Sequence, residues 1–161
     1  MWFPLPFRPK ESYHEAPRSF GSARDGGKRQ HAGCDLYAPP GTPVVAVADG
    51  EVLRGPYLFY DGVYALEIGH PGLGIVRYGE IQGTPAGHPD IGGPVKAGQI
   101  IGFVGKMPDI PHSMLHFELY SNAASGQLTD RSSQPYLRRS DLIDPTALLD
   151  SLPLKGLEAQ S

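Results

Sequence analysis

The chain is short of the features that would place it in several large classes. It holds a single cysteine among 161 residues, which excludes an internal disulfide framework. No stretch approaches about eighteen consecutive apolar residues, so no helical membrane span is expected. Charge is nearly balanced, with 14 Lys+Arg against 17 Asp+Glu and a net of −3, and no basic patch stands out. Phosphate recognition needs clustered Lys and Arg, so nucleic acid is excluded as the main partner. Met1-Trp-Phe-Pro-Leu-Pro-Phe-Arg-Pro-Lys10 starts apolar but lacks a basic leader and an unbroken apolar run. No signal peptide is read there.

Glycine and proline are plentiful instead, at 21 and 17 residues. They fall mostly at turns between Val/Ile-rich runs, which predicts a mostly β, antiparallel fold rather than disorder. The length suits one domain with a real core. Residues 1–27 read as an N-terminal arm over the domain, 28–122 as the β domain, and 123–161 as a C-terminal loop and short helix packed on it. Pro43 to Val52 predicts a hairpin around Asp49-Gly50. Strands are expected over Tyr57 to His70 and Gly74 to Ile81, a second hairpin over Val95 to Val104, and a last strand over Met114 to Ser121. Gly83 to Gly93, with His88 and Asp90, is a Gly/Pro loop, and Asn122 to Arg139 is polar and loop-like. Asp144 and Pro145 suit the N-cap and first turn of a closing helix that ends near Leu152.

The chemistry concentrates in two segments. His31-Ala-Gly-Cys-Asp35 puts an imidazole and a carboxylate four residues apart. In an extended chain, positions 31, 33 and 35 share one face. Leu115-His116-Phe117-Glu118 supplies a second imidazole, with His116, Glu118 and Tyr120 on one face of the last strand. A His/Asp/His set suits a catalytic zinc ion, which takes three protein ligands and leaves a position for water. The structural alternative is a buried hydrogen-bonded cluster. Cys34, beside Asp35, points to the opposite face and reads as a small core residue. Glu118 suits a carboxylate partner for a ligating imidazole or a solvated edge residue. His14, His70 and His88 read as surface or hydrogen-bonded residues.

The surroundings of both segments carry a resemblance. His31 to Val52 (H-x-G-x-D running into G-T-x-V-x-A-x-x-D-G-x-V), Pro94 to Gly105, and Leu115-His-Phe-Glu118 occur in the order found in the lysostaphin-type peptidoglycan endopeptidases. The likeness spans roughly residues 28–122. It implies an antiparallel β-sheet groove and one zinc per chain on His31, Asp35 and His116. It further implies hydrolysis of peptide bonds in bacterial peptidoglycan, with peptidoglycan peptides as the partner and room for an inhibitor or immunity protein. Two family histidines are missing. Met114 stands at the first histidine of the last motif, and Glu80 stands in the Arg77-Tyr78-Gly79-Glu80 stretch where the family has Y-x-H.

Zinc lowers the pKa of its water to about 7, so a carboxylate suffices as general base. Glu80 is the candidate base, and Tyr78 a candidate for contacting substrate or the oxyanion. His112, four residues before His116, is a weaker source of an imidazole, and Arg77 a further candidate for contacting substrate. Met114 reads as a space-filling residue beside the cleft. Such an enzyme is expected to act in the periplasm or cell wall, with delivery by lysis, a phage tail, a contractile secretion device or a lost leader. The rival reading is a zinc-containing binding or regulatory module that no longer cleaves. A weak echo between Gly41-Thr-Pro-Val-Val-Ala and Gly93-Pro-Val-Lys-Ala-Gly resembles biotinyl and lipoyl carrier domains, with Lys106 near the second copy. That reading leaves His31, Asp35 and His116 unexplained.

Overall fold

The structure is a computed structural model that describes residues 1–83, 89–124 and 126–156. His88 lies outside the described residues. Short strands β1 (Ala23–Arg24) and β2 (Arg29–Gln30) pair with each other. They are followed by β3 (Cys34–Tyr37), β4 (Pro43–Val45), β5 (Gly50–Tyr60), β6 (Val63–His70), β7 (Gly74–Ile81), β8 (Pro94–Val95), β9 (Ile100–Phe103), β10 (Met114–Tyr120) and β11 (Leu142–Ile143). One helix, α1 (Thr146–Ser151), closes the chain. The main sheet runs β11-β10-β7-β6-β5-β8, with β3 also on β10.

Strand β10 is central because its alternation serves two covered faces. Leu115, Phe117 and Leu119 enter the main apolar core, and Met114, His116, Glu118 and Tyr120 face the other way, yet all seven residues are buried. Antiparallel pairing sets His116 opposite Asp35 of β3 and opposite Gly79 of β7. The sheet therefore delivers two of the expected site residues side by side. Gly79 opposes His116 without a side chain, and a Cβ there would press on Phe59 and His116.

Four expected elements form differently. The run from Tyr57 to His70 is broken by Asp61-Gly62, where φ is 29° and 81°. Both positions need positive φ in a tight hairpin turn, and Asp-Gly supplies it. The two expected hairpins around residues 43–52 and 95–104 do not close on themselves. Instead they exchange partners, β4 pairing with β9 and β5 with β8. The short, Pro- and Gly-flanked segments each find a longer-range neighbour that buries Val44, Val95 and Ile101. The polar stretch after residue 122 contributes Leu128 to a satellite core and leads into β11.

The N-terminal residues are part of the packing. Phe3 and Leu5 are fully buried in the cluster that holds Leu36, Val44, Ile101 and Leu149. Backbone bonds tie Trp2 N–H to the Val47 carbonyl and Phe3 N–H to the Pro153 carbonyl. The helix starts one residue later than expected, with Pro145 as its N-cap, and the Asp144 carboxylate just before it accepts from Thr146 N–H at 2.9 Å. Phe3→Ala is expected to destabilise the fold by about 3–5 kcal/mol, as for a large buried aromatic. Urea denaturation checks this, since an arm lying loosely on the surface would give a change well under 1 kcal/mol on the usual scale for surface substitutions, about ±0.5.

Candidate metal centre

His31 leaves β2 in an irregular segment, and a bend at Gly33 precedes β3. The expected single strand through positions 31, 33 and 35 is therefore not formed. Gly33 makes the bend possible by close approach, because a Cβ there would lie 2.3 Å from the Phe117 carbonyl oxygen. The backbone of His31 is held by two bonds, from its N–H to the Ser22 carbonyl and to its carbonyl from Gly21 N–H. The imidazole reaches Asp35 from outside the strand.

Three atoms converge. His31 Nε2 lies 3.1 Å from Asp35 Oδ1, His116 Nδ1 lies 2.9 Å from the same oxygen, and the two nitrogens are 3.2 Å apart. The three residues are 5%, 8% and 5% exposed for His31, Asp35 and His116. Ligands at about 2.0–2.1 Å from a tetrahedral zinc would sit about 3.3 Å from one another. The spacing fits that metal.

The hydrogen-bonding pattern fits it as well. His31 Nδ1 faces the Ser19 carbonyl at 3.0 Å, which can only accept, so Nδ1 carries the hydrogen and Nε2 presents a lone pair. His116 Nε2 faces the Glu118 carboxylate at 2.8 Å, so the same assignment leaves a lone pair on Nδ1. With both rings neutral, two imidazole lone pairs and a carboxylate oxygen point at one another, a donor set complementary to a cation, and without a cation a proton on His116 Nδ1 bonds Asp35 instead. Burial pulls the His31 imidazolium down from its usual pKa, against the pull of Asp35. Burial works against the Asp35 carboxylate too, but bonds from His116 and His31 hold it at about 2. His116 is pushed down by burial and more strongly up by Asp35 and Glu118, to about 9.

Glu80 comes to the centre by a route that simple alternation misses. In a regular strand it would share the core face with Tyr78. Between the pairs Tyr64–Ile81 and Ala65–Gly79, however, β7 carries one extra residue, and that residue is Glu80. Its φ is 64°, the left-handed conformation that re-aims a side chain at a β-bulge. Its carbonyl accepts from Gly105 N–H at 2.9 Å. The carboxyl lies within electrostatic reach of His116, Asp35 and Arg24, and burial raises its pKa from 4.5 to about 7. Its Oε2 is buried with no hydrogen-bond partner.

Tyr78 goes the other way. It is fully buried on the core face, packed edge-on against Phe117. Its hydroxyl accepts from Val47 N–H at 3.1 Å and donates to His70 Nε2 at 2.9 Å. The expected contact between this hydroxyl and substrate or oxyanion is not available from there, because the bulge separates two residues that sequence spacing puts on one face. His112 is also away from the three ligand atoms, stacked on Tyr37 at 4.7 Å. Met114 fills a small cluster with Val63 and Met107. A cavity of about 520 Å³ lies beyond Tyr37 and His112, walled by the N-terminal arm, and does not include the three ligand atoms.

Several neighbours carry no sequence signal of their own. Arg24 on the β1–β2 hairpin sets its Nη2 3.5 Å from Asp35 Oδ2, leaving Oδ1 to the two histidines. Phe59 lies beside the His116 ring at 5.8 Å and under the Arg77 guanidinium. Glu118 is wholly buried, and the arginines Arg77 and Arg138, with His116, hold its carboxylate well below the usual range against the effect of burial.

Residues 29–128 match the model of peptidase family M23. The chain is 34% identical over 94 residues to the peptidoglycan DD-endopeptidase ShyC of Vibrio cholerae, across 58% of the chain and 21% of that protein. It is 31% identical over 129 residues to the glycyl-glycine endopeptidase ALE-1 of Staphylococcus capitis, across 80% of the chain and 34% of that protein. It thus spans at most about a third of these relatives' lengths. The catalytic domain of the antimicrobial peptidase lysostaphin from Staphylococcus simulans superposes with a TM-score of 0.61 at 26% identity, covering 82% of this chain and 89% of that one. With the motif order, the sheet and the converging His/Asp/His atoms in agreement, the chain belongs to peptidase family M23.

Proposed function

We propose that the protein is a zinc-dependent endopeptidase that hydrolyses peptide bonds of bacterial peptidoglycan and acts in the periplasm or cell wall. The observation that carries this reading is the convergence of His31 Nε2, Asp35 Oδ1 and His116 Nδ1 within electrostatic reach of Glu80, whose Oε2 is buried without a hydrogen-bond partner. The relatives named as peptidoglycan endopeptidases support the substrate class. His31, Asp35 and His116 hold one zinc. When bound there, zinc lowers the pKa of water and polarises a carbonyl.

The protein's own residues do the rest. Ser19 and Glu118 fix the two imidazoles in the tautomers that present Nε2 and Nδ1. Glu80 Oε2 takes the proton of the attacking water and returns it to the leaving amine, a general-base role worth about 10²–10⁴ in rate. A carboxylate raised by burial suits both halves of that transfer, since it binds and releases a proton near neutral pH. Met114, in the place of the first histidine of the family's last motif, gives no proton and no hydrogen bond. Its apolar packing favours the rival reading, a zinc-containing module that binds wall peptides without cutting them.

Turnover separates the two. Release of new amino termini from purified peptidoglycan is expected for zinc-loaded protein, with Glu80→Gln slower by about 10²–10⁴ and its zinc retained. Equal inertness of both proteins on several wall types would reject the enzyme in favour of the binding module. His116→Ala is expected to lose stoichiometric zinc, measured by elemental analysis after dialysis, and a full equivalent remaining would reject the ligand set. Glu80 must be ionised to act as base, so activity rises with pH through its titration and falls on the acid side. Burial sets that titration at about 7, above the ordinary 4.5, and a bound dication pulls it back down. The acid limb of kcat/KM on a soluble cross-link peptide is expected between those two values. Residual activity of Glu80→Gln should lack it.

A further inference from the structure

We propose that Arg138, which lies beyond the stretch that matches the family, is a positioning residue of the metal centre. The proposal rests on the zinc reading above. The chain of contacts is short. Glu118 Oε1 accepts from His116 Nε2 at 2.8 Å. The same oxygen accepts from Arg138 Nε at 2.9 Å and lies 2.8 Å from Arg138 Nη2. The other oxygen, Oε2, is taken by Arg77 Nη1 at 3.2 Å and by the Tyr120 hydroxyl at 2.6 Å. One carboxylate oxygen is therefore shared between a ligating imidazole and a guanidinium gripping it with two nitrogens.

That grip defines where Oε1 sits. His116 follows it, because Oε1 is the acceptor of its Nε2–H, and the same hydrogen bond sets the ring plane and so aims Nδ1. The segment carrying Arg138 is itself built to hold still. Thr129 and Arg138 form an antiparallel bridge, Asp130 N–H bonds the Leu137 carbonyl and Arg139 N–H bonds the Leu128 carbonyl. Leu128 anchors the segment under Tyr120 and Ile75. Thr129 Oγ1 accepts from Arg77 Nη2 at 3.0 Å, so one loop steadies both arginines that flank Glu118. The matched family stretch ends at residue 128, which places Arg138 outside it.

The experiment measures zinc affinity by competition with a chromophoric chelator, and the absorption spectrum of the cobalt(II)-loaded protein, for the whole chain. Loss of an outer partner of a ligating histidine lowers metal affinity by about 10–100-fold, and Arg138→Gln is expected to fall in that range with an altered cobalt spectrum. Arg138→Lys keeps the charge but not the two-nitrogen grip, so it should lie between Arg138→Gln and the wild type. Arg131→Gln, an exposed change in the same segment, should leave affinity nearly unchanged. Wild-type affinity and spectrum in a folded Arg138→Gln would overturn the proposal. Should that variant not fold, Arg138→Lys decides, with wild-type affinity again overturning it. If the wild-type protein binds no zinc, the metal reading itself fails, a result distinct from an indifferent Arg138.

Discussion

Everything at this site depends on where two imidazole hydrogens go. The Ser19 carbonyl and the Glu118 carboxylate can only accept, so each claims the far nitrogen's hydrogen and turns the near nitrogen into a donor of electrons. With Asp35 Oδ1 within 3.1 Å of both, the inner edge of the cluster is all lone pair once His116, held at about 9 by Asp35 and Glu118, gives up its extra proton. A buried array of that kind is strongly attractive to a divalent cation, which takes the place of that proton. The acceptors sit on separate parts of the chain, a turn before the hairpin and the central strand, and the sheet register brings them to one place.

Replacing a histidine with glutamate at position 80 changes more than the name of a base. An imidazole would tolerate burial as a neutral group, whereas a carboxylate with one oxygen buried and unpartnered resists ionisation, as the rise to about 7 records. The left-handed backbone at Glu80 adds strain of about 1–3 kcal/mol, and such conformations persist only where surrounding structure enforces them. Here the enforcement comes from the β6–β7 register and the Gly105 bond. The positive charge of Arg24 at the open side offsets some of the acidic excess that Asp35 and Glu80 create together.

Much of this was legible in the residues. The motif order located His31, Asp35 and His116, and period-two alternation in β10 placed His116 with Glu118 on a face away from the apolar stack. Cys34 is buried in the core as its neighbour position suggested, and the closing helix forms within one residue of its expected start. What escaped were effects that alternation cannot carry. The bulge at Glu80 takes that residue off the core face where alternation leaves Tyr78, and the bend at Gly33 takes His31 out of the strand. The exchanged pairing of β4 with β9 and β5 with β8 escaped because local turn signals favour local hairpins. Arg24 and Arg138 lie in polar, aperiodic stretches where nothing distinguishes a functional arginine from a solvated one.

The partner exchange between the two half-hairpins has a consequence in time. Strands β4 and β9 cannot pair, nor β5 with β8, until both segments have been synthesised, and His31 and His116 are separated by 85 positions. Non-local pairings of this kind delay folding until late in the chain. The residues up to β7 hold His31, Asp35 and Glu80 but neither the second imidazole nor its carboxylate anchor. The centre is thus complete only once β10 has been made and paired with β3 and β7.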